Sequence, residues 1–339
     1  MLHFDSDYME GMSPAILKRM EEINLTQNVG YGLDGISESA RDRIRKACGI
    51  AEGDVFFLSG GTQTNAIVIK CLLKPYEGVI AAHTGHVSIH EAGAIEAGGH
   101  KVLEIEGHDG KLKSEDVKEY VENFYADGNH DHMVKPGMVY ISHPTEYGTL
   151  YTKEELEALS EVCRKYDMKL YLDGARLAYG LAADPEVSLE LIAKNCDVFY
   201  IGGTKCGGMF GEALVFPNWS IPGFFTMIKQ NGALMAKGWF MGLQFDELFQ
   251  NDLYYKNGRH GVDLAMKIRR GFEEKGYEMY LDSPTNQQFV VLSDEKMKEL
   301  QEKVSFGFWE KKDESHTVVR FAAGWATKEE DVEELLNLI

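Results

Sequence analysis

Apolar and polar positions alternate between two rhythms along most of this chain. Short β-branched and aromatic runs are followed by stretches with helical spacing, which predicts strands and helices in turn. The strand signals are Asp54–Leu58, Val79–Ala82, Lys101–Ile105, Met138–Ile141, Lys169–Leu172 and Val198–Ile201, with Glu212–Phe216 as a strand of opposite hydrogen-bonding sense. Helical spacing is expected over Glu38–Cys48 after Ser37, Ala66–Leu73, Ser88–Ala97, Ser114–Phe124, Thr152–Tyr166, Leu189–Lys194 and Phe240–Phe249. Strands joined by helices imply right-handed crossovers and a mostly parallel sheet with helices on both faces, an α/β fold.

Two regions depart from that rhythm. Residues 1–35 read as an irregular N-terminal segment apart from a helix over Pro14–Ile23, with Ser13 as cap and Pro14 in the first turn. From about residue 250 the order changes to helices (Val262–Lys275, Ser293–Val304, Lys328–Leu338) interleaved with strands (Gln288–Leu292, Thr317–Ala322). This predicts a large domain over 1–249 and a small α+β domain over 250–339. A chain of 339 residues has room for both.

Composition narrows the possible partners. A net charge of −19 disfavours nucleic-acid or anionic-membrane surfaces, which need clustered Lys and Arg. The five cysteines are scattered and lack CxxC spacing, which fits a reducing cytoplasm and gives no zinc signature. No apolar run reaches membrane-spanning length, and the charged N-terminus does not read as a signal peptide.

Candidate chemistry gathers where strands end. In Val198-Phe-Tyr-Ile-Gly-Gly-Thr204-Lys205-Cys-Gly-Gly, a buried strand runs into glycines that leave room around one lysine. Ligands of open α/β sheets bind beyond the carboxyl ends of the strands. A desolvated amine there can form a Schiff base, whereas a solvated loop lysine would do nothing. Asp173 ends another strand, in Asp-Gly-Ala-Arg176, as an anionic partner or as a turn residue. Gly60-Gly61-Thr62-Gln63 joins a strand to a helix and offers free amides to an anion, or a plain tight turn. His86 can stack on an aromatic face or act as a base. His83, His86 and His90 lack the order of a zinc motif, so no metal is expected. Glu146 and Tyr147 follow a further strand. Arg176 and Arg320, the latter inside an apolar strand, can hold a carboxylate or form structural ion pairs.

Phe4-Asp5-Ser6-Asp7, Gly61-Thr62-Gln63, His86 to Gly93, Asp173 to Arg176, Thr204-Lys205 and Val319-Arg320, in this order, resemble the threonine aldolase and β-eliminating lyase branch of the fold-type I pyridoxal-phosphate (PLP) enzymes. The resemblance spans nearly the whole chain and implies an aspartate-aminotransferase-like fold. It implies that Lys205 carries the cofactor as a Schiff base and that Asp173 pairs with the pyridine nitrogen. Gly61 and Thr62 would bind the cofactor phosphate, Thr204 would also contact the cofactor, and His86 would stack on the ring. Ser6, Arg176 and Arg320 would hold the substrate carboxylate, with Arg176 also within reach of the ring hydroxyl. It further implies a homodimer or homotetramer with shared sites, in which Tyr31 and Lys237 serve the neighbouring subunit.

The implied reaction is retro-aldol cleavage of threonine, allo-threonine or phenylserine to glycine and an aldehyde, with His86 or Glu146 as base. One departure stands out: Pro144-Thr145-Glu146-Tyr147 replaces the histidine-bearing tract of threonine aldolases. β-Elimination or transamination on the same cofactor, and a non-catalytic binding protein on the same scaffold, are the alternatives.

Overall fold

The computed structural model describes residues 1–218 and 221–339. Its larger sheet has seven strands: β2 (Asp54–Leu58), β3 (Glu77–Ala82), β4 (Val102–Ile105), β5 (Lys135–Ser142), β6 (Lys169–Asp173), β7 (Val198–Gly202) and β8 (Glu212–Phe216). They lie in the order β2-β8-β7-β6-β5-β3-β4. Neighbours from β7 across to β4 are parallel, and β8 runs antiparallel to both β7 and β2, as its sequence position suggested. The carboxyl ends of β2, β3, β5, β6 and β7 therefore meet at one edge.

Strand alternation divides this sheet between two cores. One face carries Phe57, Ile80, Ile141, Leu172 and Ile201 among helices that include Pro14–Ile23, Gly35–Ala47, Lys153–Lys165 and Trp239–Leu248. The other face carries Val79, Met138, Tyr140, Tyr171, Tyr200 and Leu214 against the helices Gly61–Leu72 and Phe224–Gln230.

The smaller sheet has the order β1-β11-β12-β10-β9, with β1 at Leu2–Phe4, β9 at Glu278–Met279, β10 at Gln287–Ser293, β11 at Val304–Lys311 and β12 at His316–Ala322. Here the structure corrects two expectations. The N-terminus is not irregular: Leu2 and Phe4 alternate inward and pair in parallel with Val304 and Phe306. The helix expected over Ser293–Val304 stops at Gln301, and the chain continues as β11. β1 delivers Asp5, Ser6 and Asp7 to the interior edge between the two sheets.

Other differences are local. Asp34, not Ser37, caps the helix Gly35–Ala47, accepting Ile36 N at 3.0 Å and Ser37 N at 2.8 Å. Ser13 precedes its helix without a side-chain cap. The single helix expected over Ser88–Ala97 is two short pieces, His86–Ile89 and Ala94–Ala97, because Ala92 (φ 50°) and Gly93 (φ 72°) adopt left-handed backbone between them. The helix Gly61–Leu72 starts five residues earlier than its apolar spacing indicated, so Gly61 and Thr62 form its first turn.

Candidate active site

Asp173 is the best-furnished group at the strand ends. It is 5% exposed, and its side chain shares a face of β6 with Tyr171, two residues earlier. Tyr140 on β5 and Tyr200 on β7 point the same way, so three tyrosines form a row across adjacent strands, with successive ring centroids 5.7 and 6.4 Å apart. Tyr140 donates to Asp173 Oδ2 at 2.6 Å, and Tyr200 donates a short bond to Oδ1. Asn65 Nδ2 donates to Oδ2 at 3.0 Å, while its own Oδ1 accepts from Tyr171 at 2.6 Å. Burial pushes this carboxyl up, but the His86 imidazole and the bonds from Tyr140, Tyr200 and Asn65 outweigh it and hold Asp173 below the ordinary carboxylate range. It is an anion in a dry place.

From Asp173 a closed ring of hydrogen bonds runs through the site. Tyr140 Oη shares a bond with Ser142 Oγ at 3.2 Å, and Ser142 donates to Glu146 Oε1 at 2.7 Å. The same Oε1 accepts the backbone N–H of His86 at 3.0 Å. His86 Nδ1 meets Glu91 Oε1 at 2.8 Å, and Asn65 Nδ2 joins that oxygen at 2.6 Å, returning to Asp173. A carboxylate only accepts, so Nδ1 carries the hydrogen and the ring is fixed by the inward-turned Glu91. Burial works against a charged His86, yet Glu91 and Asp173 overcome it and raise its proton affinity. Glu146 is pushed above the usual carboxylate range, burial outweighing the Ser142 bond.

Lys205 follows β7 and lines the same cleft of about 330 Å³ as Asp173, His86, Glu146, Gly61, Thr62, Arg176, Thr204 and Glu212. Its Nζ lies 5.8 Å from the ring centre of Tyr8, and its carbonyl is tied by Tyr179 Oη at 2.6 Å. Burial and the nearby Arg176 lower the amine's proton affinity, against the pull of Asp7, Asp173 and Glu212. The amides of Gly61 and Thr62, which line the cleft, precede the first intrahelical bond, Thr64 N to Gly60 O at 3.0 Å, and have no acceptor among the described residues. A Cβ on Gly61 would stand 2.9 Å from Tyr200 Oη, so a side chain there would dislodge the tyrosine from Asp173.

The residues expected at the substrate carboxylate separate into two groups. Arg176 forms a bidentate pair with Asp7, Nε to Oδ2 at 2.7 Å and Nη2 to Oδ1 at 3.0 Å. Burial opposes ionisation of Asp7, but Arg176 and Lys205 prevail and bring it to about 2. Arg320, on β12, has no carboxylate partner among the described residues: it donates to Gln287 Oε1 at 3.1 Å and Asp5 O at 2.9 Å. Arg320 Nε and Ser6 Oγ are buried without hydrogen-bond partners among the described residues. Tyr31 lies apart from the Lys205 cleft of its own chain. It borders another cleft with Leu33, Met235 and Gly238, and Lys237 beside it is exposed.

Sequence reasoning missed Asp7, Asn65, Glu91, Tyr140, Ser142, Tyr200 and Glu212. Tyr140 and Tyr200 counted as apolar strand residues, although a buried tyrosine hydroxyl needs a partner and so signals a polar site nearby.

The seven-stranded sheet with its strand-end lysine and aspartate defines a fold-type I, aminotransferase-like protein. The fold is shared with Thermus thermophilus aspartate aminotransferase at a TM-score of 0.70 and 15% identity, over 99% of this chain and 95% of that one. More narrowly, the chain belongs to the β-eliminating lyase family, which matches residues 3–292. It is 30% identical to a low specificity L-threonine aldolase of Pseudomonas sp. (strain NCIMB 10558), over 98% of this chain and 95% of the relative. A solved structure of Leishmania major threonine aldolase superposes with a TM-score of 0.96 at 40% identity, covering 100% of this chain and 98% of that one.

Proposed function

We propose that this chain is a PLP-dependent aldehyde-lyase that cleaves a β-hydroxy-α-amino acid of the threonine type into glycine and an aldehyde. The observation that carries this reading is the pairing, in one cleft, of a desolvated Lys205 amine with an ionised, buried Asp173. The other residues fit the cofactor too: free helix-start amides and Thr62 suit its phosphate, and the flat face of a held His86 suits its ring. When bound, PLP supplies the electron sink into which a bond at Cα can break.

Asp173, an anion held by four donors in a buried place, would be the residue to keep the cofactor's pyridine nitrogen positively charged. Lys205 Nζ, the desolvated amine of the cleft, would be the group that holds the cofactor covalently. Arg320 Nε and Ser6 Oγ, both lacking partners among the described residues, would take the substrate carboxylate and so orient its Cα. Arg176 is a poorer candidate for that task, since Asp7 already occupies its fork. Glu146 accepts the proton of the β-hydroxyl, directly or through a water, and the burial that raises its proton affinity makes it a stronger base than a solvated carboxylate. The ring of bonds through Ser142 and the His86 amide holds that carboxyl in place.

Two further parts of the reading concern the assembly. Leu25 (94% exposed), Val29 (63%), Leu33 (61%) and Met235 (39%) make the surface around Tyr31 and Lys237 apolar, which supports a homodimer or homotetramer in which these residues complete a neighbour's site. Five unpaired cysteines support a reducing, cytoplasmic setting, and among the described residues no helix is long and apolar enough to cross a membrane.

Incubation of PLP-loaded protein with threonine, allo-threonine, phenylserine and serine tests the reaction. Glycine together with acetaldehyde or benzaldehyde is expected. A 2-oxo acid with ammonia would establish elimination instead, and a 2-oxo acid without ammonia would establish transamination.

A further inference from the structure

Glu212 opens β8 on the wall of the Lys205 cleft, and the reaction outlined above makes no use of it. It is 4% exposed. Two donors from the turn that carries Lys205 hold its carboxyl: Gly203 N reaches Oε2 at 3.3 Å and Thr204 Oγ1 reaches Oε1 at 3.0 Å. Thr204 Oγ1 in turn accepts Gly211 N at 3.0 Å, closing the turn between β7 and β8. Both residues before Lys205 are thus anchored to one side chain.

Those donors are neutral, and a buried carboxyl bonded by neutral donors alone is costly to ionise unless a cation stands nearby. The titratable groups that face Glu212 are Asp173 at the end of β6, Tyr171 on β6, Tyr200 on β7, Lys205 and Cys206 in the turn, and Tyr254 on the helix Leu253–Glu274. Lys205 is the cation in that set. Burial pushes Glu212 up to about 8, with Lys205 and Thr204 opposing it. The charge of Glu212 in turn strengthens the amine's hold on its proton.

We infer that Glu212 is a positioning residue for Lys205: it fixes the Gly203–Thr204–Lys205 turn through two hydrogen bonds and places a buried carboxyl on the wall of the cleft that the Lys205 amine shares. The inference rests on Lys205 being the reactive amine, and its test needs no cofactor. In PLP-free protein, the pH dependence of Lys205 modification by an amine-reactive reagent is followed by peptide mass spectrometry. Glu212→Gln keeps the shape and removes the charge, and it should lower the Lys205 midpoint by about one pH unit, a tenfold loss of proton affinity. Glu212→Asp keeps the charge and should recover at least half of that change.

An unchanged midpoint in Glu212→Gln, or a Glu212→Asp midpoint as low as that of Glu212→Gln, would overturn the inference. If Glu212→Gln fails to fold by circular dichroism, the wild-type profile decides. Linked ionisation of the two groups predicts two steps, and a single step would refute it. A negative product assay would leave this titration untouched, so the two readings fail separately.

Discussion

Two corners, one lining the Lys205 cleft and one beyond its lining residues, are built on opposite terms. At Asp173 every oxygen is supplied by the protein: two tyrosines, Asn65 and the Ala175 amide all donate to it. At the corner where the chain leaving β1 approaches Arg320 of β12, Arg320 Nε and Ser6 Oγ are buried with no partner among the described residues. Buried polar groups are nearly always satisfied, so the second corner is the one whose partner is not part of the chain. The first corner is preorganised for a group that stays; the second is left incomplete for one that comes and goes.

The Asp7–Arg176 pair extends the satisfied side and separates two arginines that look alike in sequence. Its largest expected effect is on stability. Asp7→Asn leaves the Arg176 guanidinium buried and uncompensated, and chemical denaturation should show a loss of about 3–5 kcal/mol. Its pH dependence has a defined sign. The folded pKa of Asp7, about 2, lies below its ordinary value of 3.8, so the stabilisation is complete above the unfolded value and fades as pH falls toward 2. A melt series between pH 5 and 2 should show Asp7→Asn and wild type converging.

Next comes Asp173→Asn, which keeps the shape of the satisfied corner and removes its charge. Loss of a preorganised charge of this kind should reduce kcat by about 10²–10³-fold. Retention of wild-type kcat would mean that the corner is structural. Arg320→Ala probes the open corner and should mainly raise KM, by about 10–100-fold, as expected for a lost charge-assisted hydrogen bond. Its denaturation midpoint should move far less than that of Asp7→Asn. If instead Arg320→Ala unfolds the protein and Asp7→Asn raises KM, the contrast between the corners is reversed.

The same contrast explains what was legible in the sequence. Lys205, Asp173, His86, Glu146 and the Gly61-Thr62 turn each follow a strong strand signal, and strand ends of a parallel sheet converge, so pattern alone brought them together. Asn65 and Glu91 lie within helical or turn segments and take part only through partners far along the chain, such as Asn65 with Asp173, 108 residues apart. Tyr140 and Tyr200 were hidden by their own strands, because periodicity counts a tyrosine ring and is blind to its hydroxyl. β1 escaped notice because three residues are too few for a period, and the docking of Ser6 and Asp7 was lost with it.

One measurement reaches the centre of the account. After incubation with PLP and reduction with borohydride, the digested protein should carry the pyridoxyl mass on the peptide containing Lys205, with the yellow colour bleached in step. Label on another lysine, or on none, would contradict the assignment of Lys205 as the residue that binds the cofactor.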